Sequence, residues 1–349
     1  MIAAVTPMHD APFQGRGAWR GSDFADPEEW TYRLAPAALA ELDKAMREVR
    51  DRRREIATLT MADFPAPCFA ADAAALRKEV QSDRGFVVIR GLPIDSYSDE
   101  EAAIIYWGIA TYLGTPIPQN VKEEHLFSVR DEGYNFQRDY GATGVRISRT
   151  ASAIDFHTDS SAAYAGYTPD IVSLLALQTA KAGGSTGIVS AQTVHNILRE
   201  ERPDCLQRLY APYYFDRRAE LRPGESPTLL APVFTCGDSL AIRYFRFNLM
   251  RGYETAGVPL TQADAGPLDF LESVFRREDL AVTFQMERGD MQFVNNRFVL
   301  HSRTAFEDHA EPDRRRNFLR LWMRYRDAEA AGEDGRGVES GNRNQAADR

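Results

Sequence analysis

Apolar and polar residues follow two different periods along the chain, and the change falls near residue 145. Before it, apolar residues recur three and four positions apart, which predicts amphipathic helices over 36–55, 71–85 and 99–113. A short apolar run between glycines, 85–91, predicts a buried strand. Residues 1–35 are rich in Gly, Pro, Asp and Trp and have no period, which is typical of an irregular arm.

Beyond residue 145, short strand-like runs alternate with turns, and helical patterns interrupt them near 191–200 and 264–276. Many short strands, few helices and no βαβ alternation favour a mainly β fold with a jelly-roll core and flanking helices. The strand-like runs cover 170–180, 186–191, 232–237, 240–249, 280–287, 291–296 and 318–326.

These patterns predict one catalytic domain with an N-terminal elaboration. We expect residues 1–84 to supply an arm and helices that pack on a β domain over 85–326. Residues 327–349 are polar, charged and Gly-rich, which predicts a disordered tail.

Composition limits the function classes. The net charge is −9 with both signs mixed along the chain, which argues against a nucleic-acid surface. No apolar run is long enough to span a bilayer, and no signal peptide is apparent, so we expect no membrane partner. Three widely spaced cysteines predict no disulfide framework and suit a reducing cytoplasm. A small-molecule substrate is expected, and a homo-oligomer stays open.

Two His-x-acid triplets are candidate metal ligands, and such triplets also arise by chance. His157 and Asp159 lie in a strand-like run, where residues two apart project from one face. The other triplet, His309 to Glu311, lies in a polar linker before a proline, where nothing preorganises a metal site. The first triplet is therefore the candidate.

Two ligands do not hold a catalytic metal, because a facial set of two histidines and one carboxylate needs a third. His9 lies in the irregular arm, and His125 and His195 lie beside or within helical runs. His301 follows a turn and two strand-like runs late in the β region, where a barrel strand could return beside the first pair. The pattern alone leaves these candidates open.

Five ordered segments carry a family resemblance that spans residues 85 to 325. Through these segments, taken in their order along the chain, the sequence resembles the TauD/TfdA family of Fe(II)- and 2-oxoglutarate-dependent dioxygenases, which includes clavaminate-synthase-like enzymes. The resemblance implies a double-stranded β-helix, in agreement with the jelly-roll prediction. The segments are RGFVVIRG, FHTD, GGSTGIVSA, GDMQFVNNRFVLHSRTAF and RRRNFLRLW.

The resemblance also implies roles for particular residues. It makes His157, Asp159 and His301 the iron ligands, with 2-oxoglutarate and O2 filling the remaining iron positions. The distal carboxylate of 2-oxoglutarate suits the planar, two-donor guanidinium of arginine. Arg316 matches the family's co-substrate arginine, and Thr186 matches a hydroxyl that binds the same carboxylate.

The alternation of residues after 316 supports the choice of Arg316 as the co-substrate arginine. Arg316, Arg320 and Trp322 fall on one face of the predicted strand, whereas Leu319 and Leu321 fall on the other. The polar face predicts a cavity wall, and Arg320 on it is a candidate for binding an acidic substrate group. Arg315 would point away from the cavity.

Asn135 and Arg146 precede the first ligand strand, where such enzymes place substrate contacts, and they are further substrate-binding candidates. Family halogenases have a small residue in place of the carboxylate, so the presence of Asp159 favours hydroxylation. Desaturation, cyclisation or fragmentation, and a non-catalytic sensor of metal and 2-oxoglutarate, are the alternatives. The primary substrate is not predicted beyond a small, anionic metabolite.

Overall fold

Two β-sheets enclose the centre of the protein, and helices cover the outer face of the larger sheet. The computed structural model describes residues 7–136, 139, 146–162, 168–217, 221 and 224–326. The predicted tail, 327–349, lies outside these described residues.

The described elements begin with mixed helix and strand and become mainly β. The helices are α1 Pro36–Asp51, α2 Pro67–Gln81, α3 Asp99–Leu113, α4 Ala191–Glu201, α5 Pro203–Leu209, α6 Arg246–Ala256 and α7 Gln262–Phe275. The first strands are β1 Thr31–Arg33, β2 Phe86–Arg90, β3 Thr115–Ile117, β4 Leu126–Val129, β5 Ile154–His157, β6 Ile171–Gln178, β7 Ala182–Gly183 and β8 Thr186–Ser190. The later strands are β9 Pro212–Asp216, β10 Thr228–Pro232, β11 Phe234–Cys236, β12 Leu240–Ile242, β13 Val282–Phe284, β14 Met291–Asn295, β15 Val299–Arg303, β16 Phe306–Glu307 and β17 Asn317–Arg324.

The larger sheet has the strand order β1-β2-β14-β6-β17-β3, and β4 also pairs with β17. The smaller sheet has the order β13-β8-β15-β5. Neighbours in both sheets are antiparallel except β1 and β2. Two antiparallel sheets with crossed chain order are the architecture of a jelly roll. The predicted mainly β fold with a double-stranded β-helix core is therefore confirmed.

Helix α3 is the central element of the helical layer. Ser98 caps its first turn, because the Ser98 hydroxyl accepts the Glu101 N–H while the Glu101 carboxylate accepts the Ser98 N–H. Most of the helix is buried against α1, α2 and the larger sheet. Leu319, Leu321 and Met323 of β17 pack into the same apolar cluster, so this face of the strand points to the helices as predicted.

The segment 240–249 differs from the prediction of one strand. The strand β12 ends at Ile242, and helix α6 begins at Arg246 after an extended Phe245. Leu249 and Tyr253 lie four residues apart on the buried face of α6, which is the spacing of a helix. The aromatic run was therefore misread as strand, since short apolar runs fit both periods. The short strand β1 in the arm was also not predicted.

Candidate active site

The two histidines of the candidate site lie on paired strands. Strands β5 and β15 are antiparallel, and His157 lies directly opposite His301. The imidazole ring centroids are 4.2 Å apart. Further along, Arg303 pairs with Ile154, so the register shifts by one residue beside the histidines. His301, the third-ligand candidate from the late β region, is therefore the histidine that lies next to His157.

Asp159 reaches the histidines from a turn and not from a strand. The prediction that His157 and Asp159 share a strand face is wrong, because β5 ends at His157 and Ser160 has a φ of +54°. The side chain of Asn296 fixes the turn. Its Oδ1 accepts the Asp159 N–H at 2.8 Å, and its Nδ2 donates to the Asp159 carbonyl at 3.0 Å. Asp159 Oδ1 then lies 3.5 Å from His157 Nε2 and 3.7 Å from His301 Nε2.

The other oxygen of this carboxylate is held by the larger sheet. Asp159 Oδ2 accepts a hydrogen bond of 2.7 Å from the indole N–H of Trp322 and lies 3.0 Å from Arg320 Nη1. Burial raises the pKa of Asp159, but Arg320 and hydrogen bonds from the two histidines outweigh it and hold that pKa well below its usual value. Asp159 is therefore an anion whose Oδ1 is directed at the histidines.

The donor set fits a ferrous ion. Two imidazole nitrogens and one carboxylate oxygen lie within 4.8 Å of one another, and this is the facial set typical of non-haem iron oxygenases. The Asp155 carbonyl lies 2.9 Å from His157 Nδ1, which orients the ring with Nε2 toward Asp159. Burial, followed by the charge of His157, lowers the pKa of His301 and favours the neutral imidazole that a metal needs.

The remaining histidines do not join this group among the described residues. His9 stacks on Phe13, and His195 is buried with Nε2 at 2.9 Å from the Tyr210 hydroxyl. His125 packs near Trp107. His309 lies in the linker between β16 and β17, outside the candidate metal group, as its rejection predicted.

A cavity between the two sheets extends from the triad to Arg316 and Thr186. Thr186 is the first residue of β8, and it follows Gly183 at the end of β7 and Gly184, which both have a φ of +72°. Arg316 is 3% exposed, and its guanidinium lies 3.8 Å from the Phe318 ring centroid. Burial, with a smaller effect of nearby Arg303, lowers the pKa of Arg316 to about 9. The structure thus brings both predicted co-substrate residues to the cavity that holds the triad.

Arg320 and Arg146 line a neighbouring part of the same cavity. Both guanidiniums lie near the rings of Phe127 and Trp322, at 5.2 to 5.7 Å from the ring centroids. Gln119 connects them, because its side-chain oxygen accepts from Arg320 Nε at 2.7 Å and its carbonyl accepts from Arg146 at 2.8 Å. These contacts fix two buried cations close to the metal ligands.

Asn135 is not in this cavity. It is exposed and lines a separate outer cleft together with Phe245 and Phe247. Phe245 also lines the inner cavity, and its ring centroid lies 5.3 Å from that of His157. The substrate role of Asn135 stays a prediction.

Sequence reasoning missed several residues that line the cavity. Arg303 lies two residues beyond His301, so the alternation of a strand could have placed it on the ligand face. Phe245 and Asn248 were missed because the segment that contains them was misread as strand. Gln119 does not line the cavity but binds two arginines that do, Arg320 and Arg146. It lies in a loop far from the five ordered segments, and no signal in the sequence indicated it.

Comparison with known proteins agrees with this fold and donor set, which are those of a non-haem iron oxygenase. The sequence profile described as "Taurine catabolism dioxygenase TauD, TfdA family" matches residues 49–322. The chain therefore belongs to the TauD, TfdA family, and it is an iron- and 2-oxoglutarate-dependent dioxygenase.

Two curated proteins are similar over most of their length. The chain is 28% identical to FR-33289 synthase of Streptomyces rubellomurinus over 316 residues, which cover 89% of this chain and 90% of that protein. It is 29% identical to the taurine hydroxylase-like protein SAT17 of Stachybotrys chartarum over 314 residues, which cover 87% and 77% of the two chains.

Solved structures share the fold at lower identity. Asparagine oxygenase in complex with Fe(II), hydroxyasparagine and succinate has a TM-score of 0.62 and 19% identity, with 84% of this chain and 93% of that chain covered. The non-haem iron oxygenase OrfP with Fe and alpha-ketoglutaric acid has a TM-score of 0.63, 17% identity and the same coverage. In the part of the chain that the structure describes, no helix is long and apolar enough to cross a membrane.

Proposed function

We propose that this dioxygenase hydroxylates a small anionic metabolite and converts 2-oxoglutarate to succinate and CO2. The observation that carries the proposal is the convergence of Asp159 Oδ1 on the Nε2 atoms of His157 and His301, at 3.5 and 3.7 Å, beside a cavity lined by buried arginines. The chain has three free cysteines, which suits the cytoplasm that we propose as its location.

His157, Asp159 and His301 would hold the metal, and Asp159 would do so through Oδ1 because Oδ2 is already bound by Trp322 and Arg320. A bound ferrous ion with 2-oxoglutarate supplies the activation of O2. Arg316 and Thr186 would bind the distal carboxylate of 2-oxoglutarate, which fixes the co-substrate at one end of the cavity. Both are at most 7% exposed, so this contact would be shielded from water.

The substrate would lie at the other end, against Arg320 and Arg146. The positive charge of these two buried arginines favours an anionic substrate group over a neutral one. Arg320 already contacts Asp159. A carboxylate or other acidic group of the substrate would lie against these guanidiniums, next to the metal ligands. The aromatic rings of Trp322 and Phe245 would shape the space around it.

The experiment is an anaerobic titration of the protein with Fe(II) and 2-oxoglutarate, followed by exposure to O2. We expect a visible charge-transfer absorption on binding, and then succinate formation that rises when the right substrate is added from a panel of amino acids, sulfonates and other small acids. Product analysis by mass spectrometry separates hydroxylation, a gain of one oxygen, from desaturation, cyclisation or fragmentation. Binding without any succinate in air would indicate a sensor and overturn the proposal.

A further inference from the structure

Arg303 lies on the same strand face as the iron ligand His301 but has no assigned role. In the pairing of β15 with β8, Arg303 lies directly opposite Thr186. Directly opposed residues of antiparallel strands project to the same side of the sheet, as do residues two apart on one strand. Arg303 therefore shares a face with Thr186 and with His301. It is 7% exposed and lines the same cavity.

The guanidinium of Arg303 is fixed through one nitrogen. Its Nη2 donates to the carbonyls of Thr150 and Ser152, at 2.7 and 2.5 Å. The other two nitrogens, Nε and Nη1, are buried and have no hydrogen-bond partner among the described residues. A buried N–H group without an acceptor costs free energy, so these two donors favour a ligand that can accept from them.

A second buried guanidinium, that of Arg316, packs against the same aromatic ring as that of Arg303. The side chains of Arg303 and Arg316 lie at 4.8 and 5.1 Å from the ring centroid of the same residue, Phe306. The two buried cations repel each other, since the charge of Arg303 adds to burial in lowering the pKa of Arg316. Asp308 attracts both of them and Asp131 attracts Arg303, but neither carboxylate lines the cavity. Asp159 is the single acidic residue among the described residues that line it, and its Oδ2 is bound by Arg320 and Trp322.

We infer that Arg303 is a second cation of the subsite for the distal carboxylate of 2-oxoglutarate, which it would bind together with Arg316 and Thr186. The inference rests on the proposed function, because it requires that the co-substrate lies at this end of the cavity. It makes Arg303 a residue that determines which 2-oxo acid is accepted. A dicarboxylic acid would satisfy both guanidiniums, whereas a 2-oxo acid with an uncharged end would leave them unpaired.

A purely structural role of Arg303 predicts a different result. The contacts of Nη2 hold the segment 150–152, which leads into the ligand strand β5. If Arg303 acted only through these contacts, its loss would disturb His157 and weaken every ligand of the iron site alike. The distal-carboxylate role instead affects only ligands that carry this carboxylate.

The test compares two co-substrates of the Fe(II)-loaded protein in the absence of O2. 2-Oxoglutarate and 2-oxovalerate have the same chain length and the same chelating end, but 2-oxovalerate ends in a methyl group. Dissociation constants are read from the charge-transfer absorption for wild type, for Arg303→Met and Arg303→Lys, and for Arg315→Ala as a control at an exposed arginine of the same region.

We expect Arg303→Met to raise the dissociation constant of 2-oxoglutarate by roughly ten- to a hundredfold, the range for a lost charged hydrogen bond. The constant for 2-oxovalerate should change less than about threefold, so the preference for the dicarboxylic acid falls. Arg303→Lys keeps the charge but not the two-donor geometry, so its dissociation constant for 2-oxoglutarate should lie between those of wild type and Arg303→Met. If Arg303→Met does not fold, the lysine variant must show a smaller loss of preference in the same direction.

An equal weakening of both co-substrates, or no change in either, would overturn the inference and leave Arg303 as a support of the segment before β5. If the wild-type protein binds neither 2-oxo acid, the proposed function itself is contradicted. The control variant Arg315→Ala should retain both wild-type constants.

Discussion

The indole N–H of Trp322 donates to Asp159 Oδ2 at 2.7 Å, on the side of the carboxylate that faces away from the two histidines. This bond leaves Oδ1 as the atom directed at the metal site. Trp322 is 1% exposed, so water does not compete for the carboxylate. Trp322, a residue of the larger sheet, thus orients the metal ligand Asp159, which lies in the turn after β5.

Trp322→Phe should weaken Fe(II) binding by about tenfold, because groups that orient metal ligands typically contribute ten- to a hundredfold in affinity. The measurement is an anaerobic Fe(II) titration. Trp107→Phe is the matched control, since Trp107 also donates its indole N–H, to the Leu59 carbonyl, far from the ligands. Equal Fe(II) affinity in wild type and Trp322→Phe would show that Arg320 alone orients the carboxylate.

His157→Ala and His301→Ala should abolish turnover and strongly weaken iron binding, because each removes one of three protein ligands. Bound iron per chain and succinate formation are the two readouts. His309→Ala should retain both, since His309 is not part of the ligand group. Wild-type iron affinity in His301→Ala would refute the assignment of the third ligand.

Arg316→Ala should raise the KM for 2-oxoglutarate by roughly ten- to a hundredfold, since hydrogen bonds to charged groups are worth about 1.5–3 kcal/mol. Arg315 is exposed, and its replacement by alanine should change this KM much less. Steady-state succinate formation at varied 2-oxoglutarate measures both variants. A larger effect at Arg315 than at Arg316 would contradict the proposed role.

Arg320→Ala should raise the KM of the substrate more than that of 2-oxoglutarate, and it should lower the ratio of product to succinate. The reason is that a substrate without this anchor is often absent or misplaced when 2-oxoglutarate is converted to succinate, so less of it is oxidised. Because Arg320 also contacts Asp159, the variants must be compared at saturating Fe(II). An unchanged ratio and an unchanged substrate KM would leave Arg320 as a support for Asp159 only.

His195 should make the fold sensitive to acid. Burial, with smaller effects of His9 and Arg199, lowers the pKa of His195 to about 4. The unfolded chain binds this proton near the ordinary pKa of about 6.5, so stability is complete above that pH and falls as the pH drops toward 4. Between pH 7 and 5 the loss is about 2 kcal/mol.

Urea unfolding of wild type and His195→Gln at pH 7 and pH 5 tests this dependence. The variant should be less stable at pH 7, because it disturbs a buried site beside Tyr210, but its stability should fall less between the two pH values. The same fall in both proteins would assign the acid sensitivity to other groups.

The sequence was most informative where period and chemistry agreed. Helix α3 lies over the residues 99–113 that its apolar period predicted, and the structure adds the Ser98 cap before them. Alternation in β17 predicted that Arg316, Arg320 and Trp322 would line a cavity, and they do. In both cases burial of one face is a local property that a short segment reveals.

The site was predictable only in part, because its geometry depends on contacts between distant segments. The turn at Asp159 is set by Asn296, and no local pattern indicates that pairing. The aromatic run before α6 fits both periods, so only packing decides its structure. Gln119 contacts Arg320 from a loop that precedes β17 by most of the chain.

The ligand histidines face each other across β5 and β15, although one precedes the other by most of the β region. An unfolded chain therefore has no preformed site for the ion, and tight metal binding requires the folded state. By mass action, a ligand at a hundred times its dissociation constant adds about 2.7 kcal/mol to folding. The iron-loaded protein should therefore resist proteolysis better than the metal-free protein.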